Sequence, residues 1–260
     1  MTTGHFLRAQ QRLTRLARLA PHAMVAMIAM ASPILLAGCI EAPQAEVSYE
    51  AEARSSLRRS FEVGGVTVRL SRAELAFGPV YLCSASSGSA TLCRSALGEL
   101  LDVARVDLLA TAPTALGRVR GFTGSVRSAS YDLGLHWFDT SYAVEAAPTA
   151  PDGHSLVVVG TLERAGEPEV PFRLLLDAVP QYQGQRAVPT AEAVAEITTT
   201  PTRLVVTFDP EAWLRQIDFD AVLQAAPRPI LLDAKSAAHN AALVGLKVAR
   251  PPELRWISPP

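Results

Sequence analysis

From Ala23 to Ala37 the chain is apolar except for Ser32 and Pro33, and the run stops at Gly38-Cys39. Ahead of it stand Arg8, Arg12, Arg15 and Arg18 with no acidic residue. A basic segment, a short apolar core and small residues at its end are the parts of a secretory signal, in which small side chains let a peptidase hold the backbone extended. The run is shorter than the ~20 apolar residues that a membrane span needs, and Pro33 interrupts it. A buried core helix would leave the basic flank without a purpose. The reading is therefore that residues 1–38 are a leader, and that whatever folds does so after export.

The last four residues of this segment, Leu36-Ala37-Gly38-Cys39, resemble the lipobox of bacterial lipoprotein signals: Leu, a small residue, Gly or Ala, then Cys. The resemblance covers residues 1–39 only, and the mature body resembles no recognised family in the same way. It implies a diacylglyceryl group on the Cys39 sulfur, cleavage before Cys39 and often acylation of the freed amine. Two or three acyl chains hold a protein durably, whereas one binds only marginally. The implied location is the cell envelope, with the membrane contacted through the N-terminal lipid. In such signals an Asp after the cysteine favours inner-membrane retention. Ile40 stands there instead, which favours the outer membrane in a Gram-negative cell. No Arg-Arg pair occurs in the leader, as expected of the general secretory route.

Removing the leader changes the charge. All 25 acidic residues follow Cys39, but four of the 24 basic ones precede it, so the formal charge moves from −1 to −5. An acidic body is not the electrostatic footprint of a nucleic-acid binder. Cys39 apart, only Cys83 and Cys93 remain. An even pair around a Ser-rich loop in an exported chain reads as a disulfide, worth about 2.5–3 kcal/mol in the chain-entropy account. Two buried thiols or a two-cysteine metal site are the alternatives, and the second lacks neighbouring histidines.

Residues 39–60 are polar and are read as the lipidated cysteine and a tether, followed by one domain over 61–260. Strand signals begin with Phe61–Val63, Gly64-Gly65 and Val66–Leu70, a hairpin pattern with a two-residue turn tolerating positive φ. Alternation continues through Ala73–Phe77 and Val80–Leu82. Further strands are expected near Val119 and Val126, and over 131–137, 142–146, 155–162, 170–176 and 203–208. Many short strands separated by turn residues predict a mostly β fold, an antiparallel β-sandwich with two or three short helices.

Asp209-Pro210-Glu211 is a good helix start, since Asp caps exposed N–H groups and Pro suits the first turn. A second helix is expected over 234–244, capped by Asp233, and a third over 99–109. A last edge strand is expected between Leu246 and Ile257.

The chemistry-bearing residues are sparse. His136, His154 and His239 are the histidines after the leader, and none has a metal-site spacing. Neighbours on a strand point to opposite faces, so His136 and Trp137 would not converge on one ligand. Gly121-Phe122-Thr123-Gly124-Ser125 only superficially resembles a nucleophile elbow, because it lies between strands. There is no phosphate-cradling glycine motif. Asp218 and Asp220 lack the rest of a calcium loop and read as helix-end residues. Tyr131, Trp137, Phe138 and Tyr142 bunch together, either as core and cross-strand pairs or as a stacking surface for sugars or peptides.

These observations nominate no catalytic, metal or cofactor residue, and the expected partner is the membrane. The expectation is a lipid-anchored envelope protein, more a binding or structural module than an enzyme. Two alternatives stand beside it. The strands ending in a capped helix resemble the periplasmic copper-associated sandwich families, although no ligand motif matches and no site is carried over. An envelope hydrolase would need a triad assembled from distant residues, with a serine brought to one of the three histidines.

Overall fold

A computed structural model describes residues 44–85, 96–180 and 190–258. Along the chain the strands and helices are β1 (Glu46–Ser55), β2 (Ser60–Val63), β3 (Val66–Phe77), β4 (Val80–Cys83), β5 (Ala96–Leu100), β6 (Ala104–Asp107), β7 (Thr114–Phe122) and β8 (Gly124–Tyr131). Next come β9 (Leu135–His136), β10 (Glu145–Ala146), β11 (Leu156–Arg164), β12 (Val170–Leu176), β13 (Thr190–Ile197) and β14 (Arg203–Phe208). The chain then forms α1 (Pro210–Leu214), α2 (Phe219–Ala225), β15 (Ile230–Leu232), α3 (Ala237–Val244) and β16 (Glu253–Ile257).

The protein is mostly β, but its main sheet is not one leaf of a sandwich. Eight strands pair in the order β13-β8-β4-β5-β7-β1-β14-β16, and the two terminal strands of that order approach each other, so the sheet curls into a nearly closed barrel. Closure follows from twist: a right-handed twist carried over eight strands brings the first and last together and shields their edges. Val47, Tyr49, Leu82, Leu97, Val119, Val126 and Ile197 meet inside it, leaving no room for a water. A second sheet runs β15-β12-β11-β3-β2, with β6 pairing β3.

The long strand β3 joins the two sheets. It reads in alternation through Val66, Val68 and Leu70, all buried, and turns back to β2 over Gly64 and Gly65, both at positive φ. At its other end Phe77 packs between Tyr131 of β8 (5.5 Å between centroids) and Phe208 of β14 (5.1 Å). Phe208 in turn meets Trp213 of α1 edge-on. This aromatic chain ties second sheet, barrel and first helix into one core.

Three expectations are corrected. The stretch read as tether contains β1, which lies in the barrel between β7 and β14, parallel to the latter. Its inward side is Tyr49, Ala51 and Ala53, too small and too mixed with glutamates to register as a strand pattern. The helix expected over 99–109 is replaced by the end of β5 and by β6. The helix expected to start at 234 starts at Ala237, capped by the Ser236 hydroxyl, whereas Asp233 accepts from the Lys235 amide in the preceding turn. The Asp209 cap stands as expected, accepting from Ala212. No helix among the described residues is long and apolar enough to cross a membrane.

Candidate apolar groove and histidine–aspartate pairs

After β14 the chain leaves the barrel to build a small helical layer, and it returns there as β16. The Asp218 carboxylate starts α2 by accepting from the Ala221 amide at 3.0 Å, satisfying a donor that the helix leaves orphaned. Phe219 and Leu223 are the buried side of α2. Phe219 packs on Phe172 of β12, so α2 sits over the second sheet. β15 adds to β12 in parallel, and α3 returns beside it.

Between α2, β15 and α3 lies a groove of about 540 Å³, within the usual range for a small-molecule site. Its apolar walls include Val222, Ala225, Leu231, Ala237, Ala238 and Ala241. Alanines on both helices leave the space open, because their side chains are too short to fill it. The polar lining is largely engaged already. Asp218 caps α2, Asp233 accepts from the Lys235 amide, and the Ser236 hydroxyl both caps α3 and donates to the Asp233 carbonyl. The ammonium of Lys235 makes no ion pair among the described residues and is the one cation of a lining that also holds the carboxylates of Asp218 and Asp233, each of them bonded to a backbone amide. A wider depression of about 650 Å³ lies across β1, β5 and β7, where Glu46, Ser48, Glu99 and Arg120 surround Gly98 and Gly121. Its lining is mixed, with Val47, Ala96 and Phe122 beside the charged groups.

The three histidines are each engaged. His136 Nδ1 lies 3.0 Å from Asp132 Oδ2. Asp132 is fully buried and also accepts from the Leu133 amide. Burial pushes the Asp132 carboxyl up from its ordinary value, and the His136 ring opposes that rise. His154 Nδ1 lies 2.8 Å from Asp177 Oδ1. The Asp177 amide donates to Nε2 of His239 at 3.3 Å, so that nitrogen is unprotonated in this bond. Asp177 thus joins two histidines that are distant in sequence. Neither aspartate was singled out in the sequence. The i, i+4 spacing of Asp132 and His136 was a possible signal, although it arises at a turn and not on a helix.

A serine hydrolase would need a hydroxyl at a histidine ring. Among the described residues the ring contacts are with carboxylates, an amide and a carboxamide, and none is with a serine. Nor do three potential metal-ligating side chains gather among the described residues.

The remaining candidates separate. Asp218 is a cap, while Asp220 pairs with Arg164 and accepts from Gln224. Of the aromatic cluster, Tyr131 is core and Trp137 is half-buried, its indole donating to the Ser141 carbonyl. Phe138 and Tyr142 are exposed, on the loop between β9 and β10. Cys83 ends β4 and is fully buried. Cys93 and Cys39, with the whole stretch read as a leader, lie outside the described residues.

Comparison with protein-family models, curated proteins and solved structures gives no match.

Proposed function

We propose that this chain is a lipid-anchored binding module of the cell envelope, and that the groove between α2, β15 and α3 receives the apolar chain of an anionic amphiphile. The groove carries the reading. Its walls are apolar, its polar neighbours are largely satisfied by backbone groups, and Lys235 offers a cation to a negatively charged end. Each methylene moved from water to such a wall contributes about 0.8 kcal/mol.

The anchor rests on the leader and on Cys39. The Cys83–Cys93 disulfide rests on the cysteine count and on the position of Cys83 at a strand end. Intact-mass measurement of the membrane fraction tests both. The expected mass is that of residues 39–260 with added acyl chains and no free thiol. A Cys39→Ser chain that is equally processed and equally membrane-bound overturns the anchor.

The groove is tested with cis-parinaric acid, a fluorescent fatty acid, added to residues 39–260 carrying Cys39→Ser. These residues contain the whole compact unit that begins at Pro43. Saturable fluorescence enhancement is expected, lost in Ala241→Trp, whose indole fills the groove. Equal enhancement in the variant, or none in either protein, overturns the reading.

A further inference from the structure

The groove does not stand alone on its face. Along α3, Ala237 and Ala241 line it. Val244 and Val248 continue at the same three- and four-residue spacing, so they extend that wall along one side of the helix. The π turn Gly245–Ala249 prolongs α3 through this point. Val244 is 53% and Val248 73% exposed, and Leu231 of β15, another groove residue, is 51% exposed. An apolar stripe therefore runs from the groove out to solvent.

Charge accompanies it. Residues 226–250 hold Arg228, Lys235, Lys247 and Arg250 against one acidic residue, Asp233, in a chain whose formal net charge is −1; α2 adds Asp218, its cap, and Asp220, which is neutralised by Arg164, so the face keeps a small basic excess. Both lysines of the protein lie here. None of these four cations makes an ion pair among the described residues. Elsewhere most arginines are paired: Arg58 with Glu211, Arg72 with Asp152, Arg118 with Glu50 and Arg203 with Glu52, for example. Arg59, Arg120 and Arg127 are the other described cations without an ion pair, and they lie on β2's approach, β7 and β8, apart from this segment.

Exposed aliphatic side chains interleaved with unpaired cations, on an otherwise acidic body, complement one kind of surface in particular: an anionic bilayer, which attracts the cations and accepts the apolar side chains. An acidic protein partner would match the charge but gives no reason for an adjoining groove that takes an alkyl chain. We propose that the face formed by α2, β15, α3 and its π turn docks on an anionic lipid surface, with the groove on the docked side. This deepens the groove reading and rests on it, by naming the surface from which the amphiphile is taken. A lipid-anchored body held by its tether is already close to such a surface, so docking needs only weak added affinity.

The test is co-sedimentation of residues 39–260 carrying Cys39→Ser with vesicles of phosphatidylcholine alone and of phosphatidylcholine mixed with phosphatidylglycerol. Binding is expected to the mixed vesicles and to fall with added salt. Each basic residue near an anionic surface contributes about fivefold in partition, so Lys235→Glu with Lys247→Glu should lose more than tenfold. Val248→Asp should also weaken binding without changing the melting temperature, since Val248 is largely exposed. Arg59→Glu with Arg127→Glu removes the same charge elsewhere and should lose far less. Equal partition onto both vesicle types, no partition onto either, or an equal loss in the Arg59/Arg127 pair overturns the proposal. Failure of the groove is separable. Vesicle binding without parinarate binding rejects the groove's role and keeps the docking face. Parinarate binding without vesicle binding does the reverse.

Discussion

His136 Nδ1 sits 3.0 Å from the Oδ2 of Asp132, a carboxylate with no exposed surface. The two are four residues apart, Asp132 directly after β8 and His136 in β9, and among the described residues the ring is the one charge-capable side chain hydrogen-bonded to that carboxylate. The folded Asp132 carboxyl lies above its ordinary value because of burial, and His136 limits the rise. A raised folded value favours the fold at low pH, and that contribution is lost as pH climbs through it. His136→Ala should therefore cost about 2 kcal/mol at neutral pH, where a buried charge loses its partner. The loss should shrink on acidification as Asp132 takes up a proton. Urea unfolding across pH measures this, and a loss independent of pH would contradict it.

Tyr131 presents a different problem. Its hydroxyl is buried and has no hydrogen-bond partner among the described residues, while its ring packs on Phe77. Burial alone pushes its pKa up. An unsatisfied buried hydroxyl costs about 1–3 kcal/mol, so Tyr131→Phe should keep the ring contact and leave the melting temperature unchanged or raised. A clear fall would mean that the hydroxyl has a partner in solution.

Glu211 links the chain ahead of β2 to α1. Arg58 holds its carboxyl below the usual carboxylate range, with help from Arg215 across one helical turn. A lowered folded value contributes stability above the ordinary 4.5, and that contribution is lost as pH falls through the folded value. Glu211→Gln should cost up to about 1 kcal/mol above that range, the ceiling for an ion pair with an exposed partner. The two proteins should converge in acid. Chemical denaturation at several pH values tests the convergence.

Gly160 sits where β3 and β11 shift register between Val159 and Gly160. A Cβ there would lie 2.0 Å from the Arg69 carbonyl oxygen, which is backbone and cannot swing aside. Gly160→Ala should destabilise by about 3 kcal/mol through forced separation of the two strands. Thermal melting would show it, and an unchanged midpoint would mean that the strands part at little cost.

Much of the second sheet, and β14 of the barrel, was legible along the chain, and the reason is local. In β2, β3, β11, β12 and β14 large apolar residues alternate with polar ones or run continuously, and turn residues bound them. The Asp209 start of α1 was legible because a cap is a contact between near neighbours. The segment over 99–109 misled because Leu100, Leu101, Leu108 and Leu109 suit a helix face as well as strand ends, and only pairing with β4, β7 and β3 separates the two. β1 and β13 were missed because alanines face the core there, and alanine contributes too little apolar contrast to mark a buried face. Ala51, Ala53, Ala191 and Ala193 are nonetheless buried, opposite neighbours large enough to fill the space.

The sequence alone carries the proposed export signal and lipid attachment at Cys39, the mostly β composition and the start of α1, because each is written in residues that are consecutive or within a turn of one another. Tertiary structure decided the rest. The strand order of the barrel rests on pairings such as Glu50 with Arg203, which no local pattern specifies. The His154–Asp177–His239 chain and the α2–β15–α3 groove rest on side chains brought together from separate elements. A groove is defined by what its walls fail to fill, and that is a property of how helices pack.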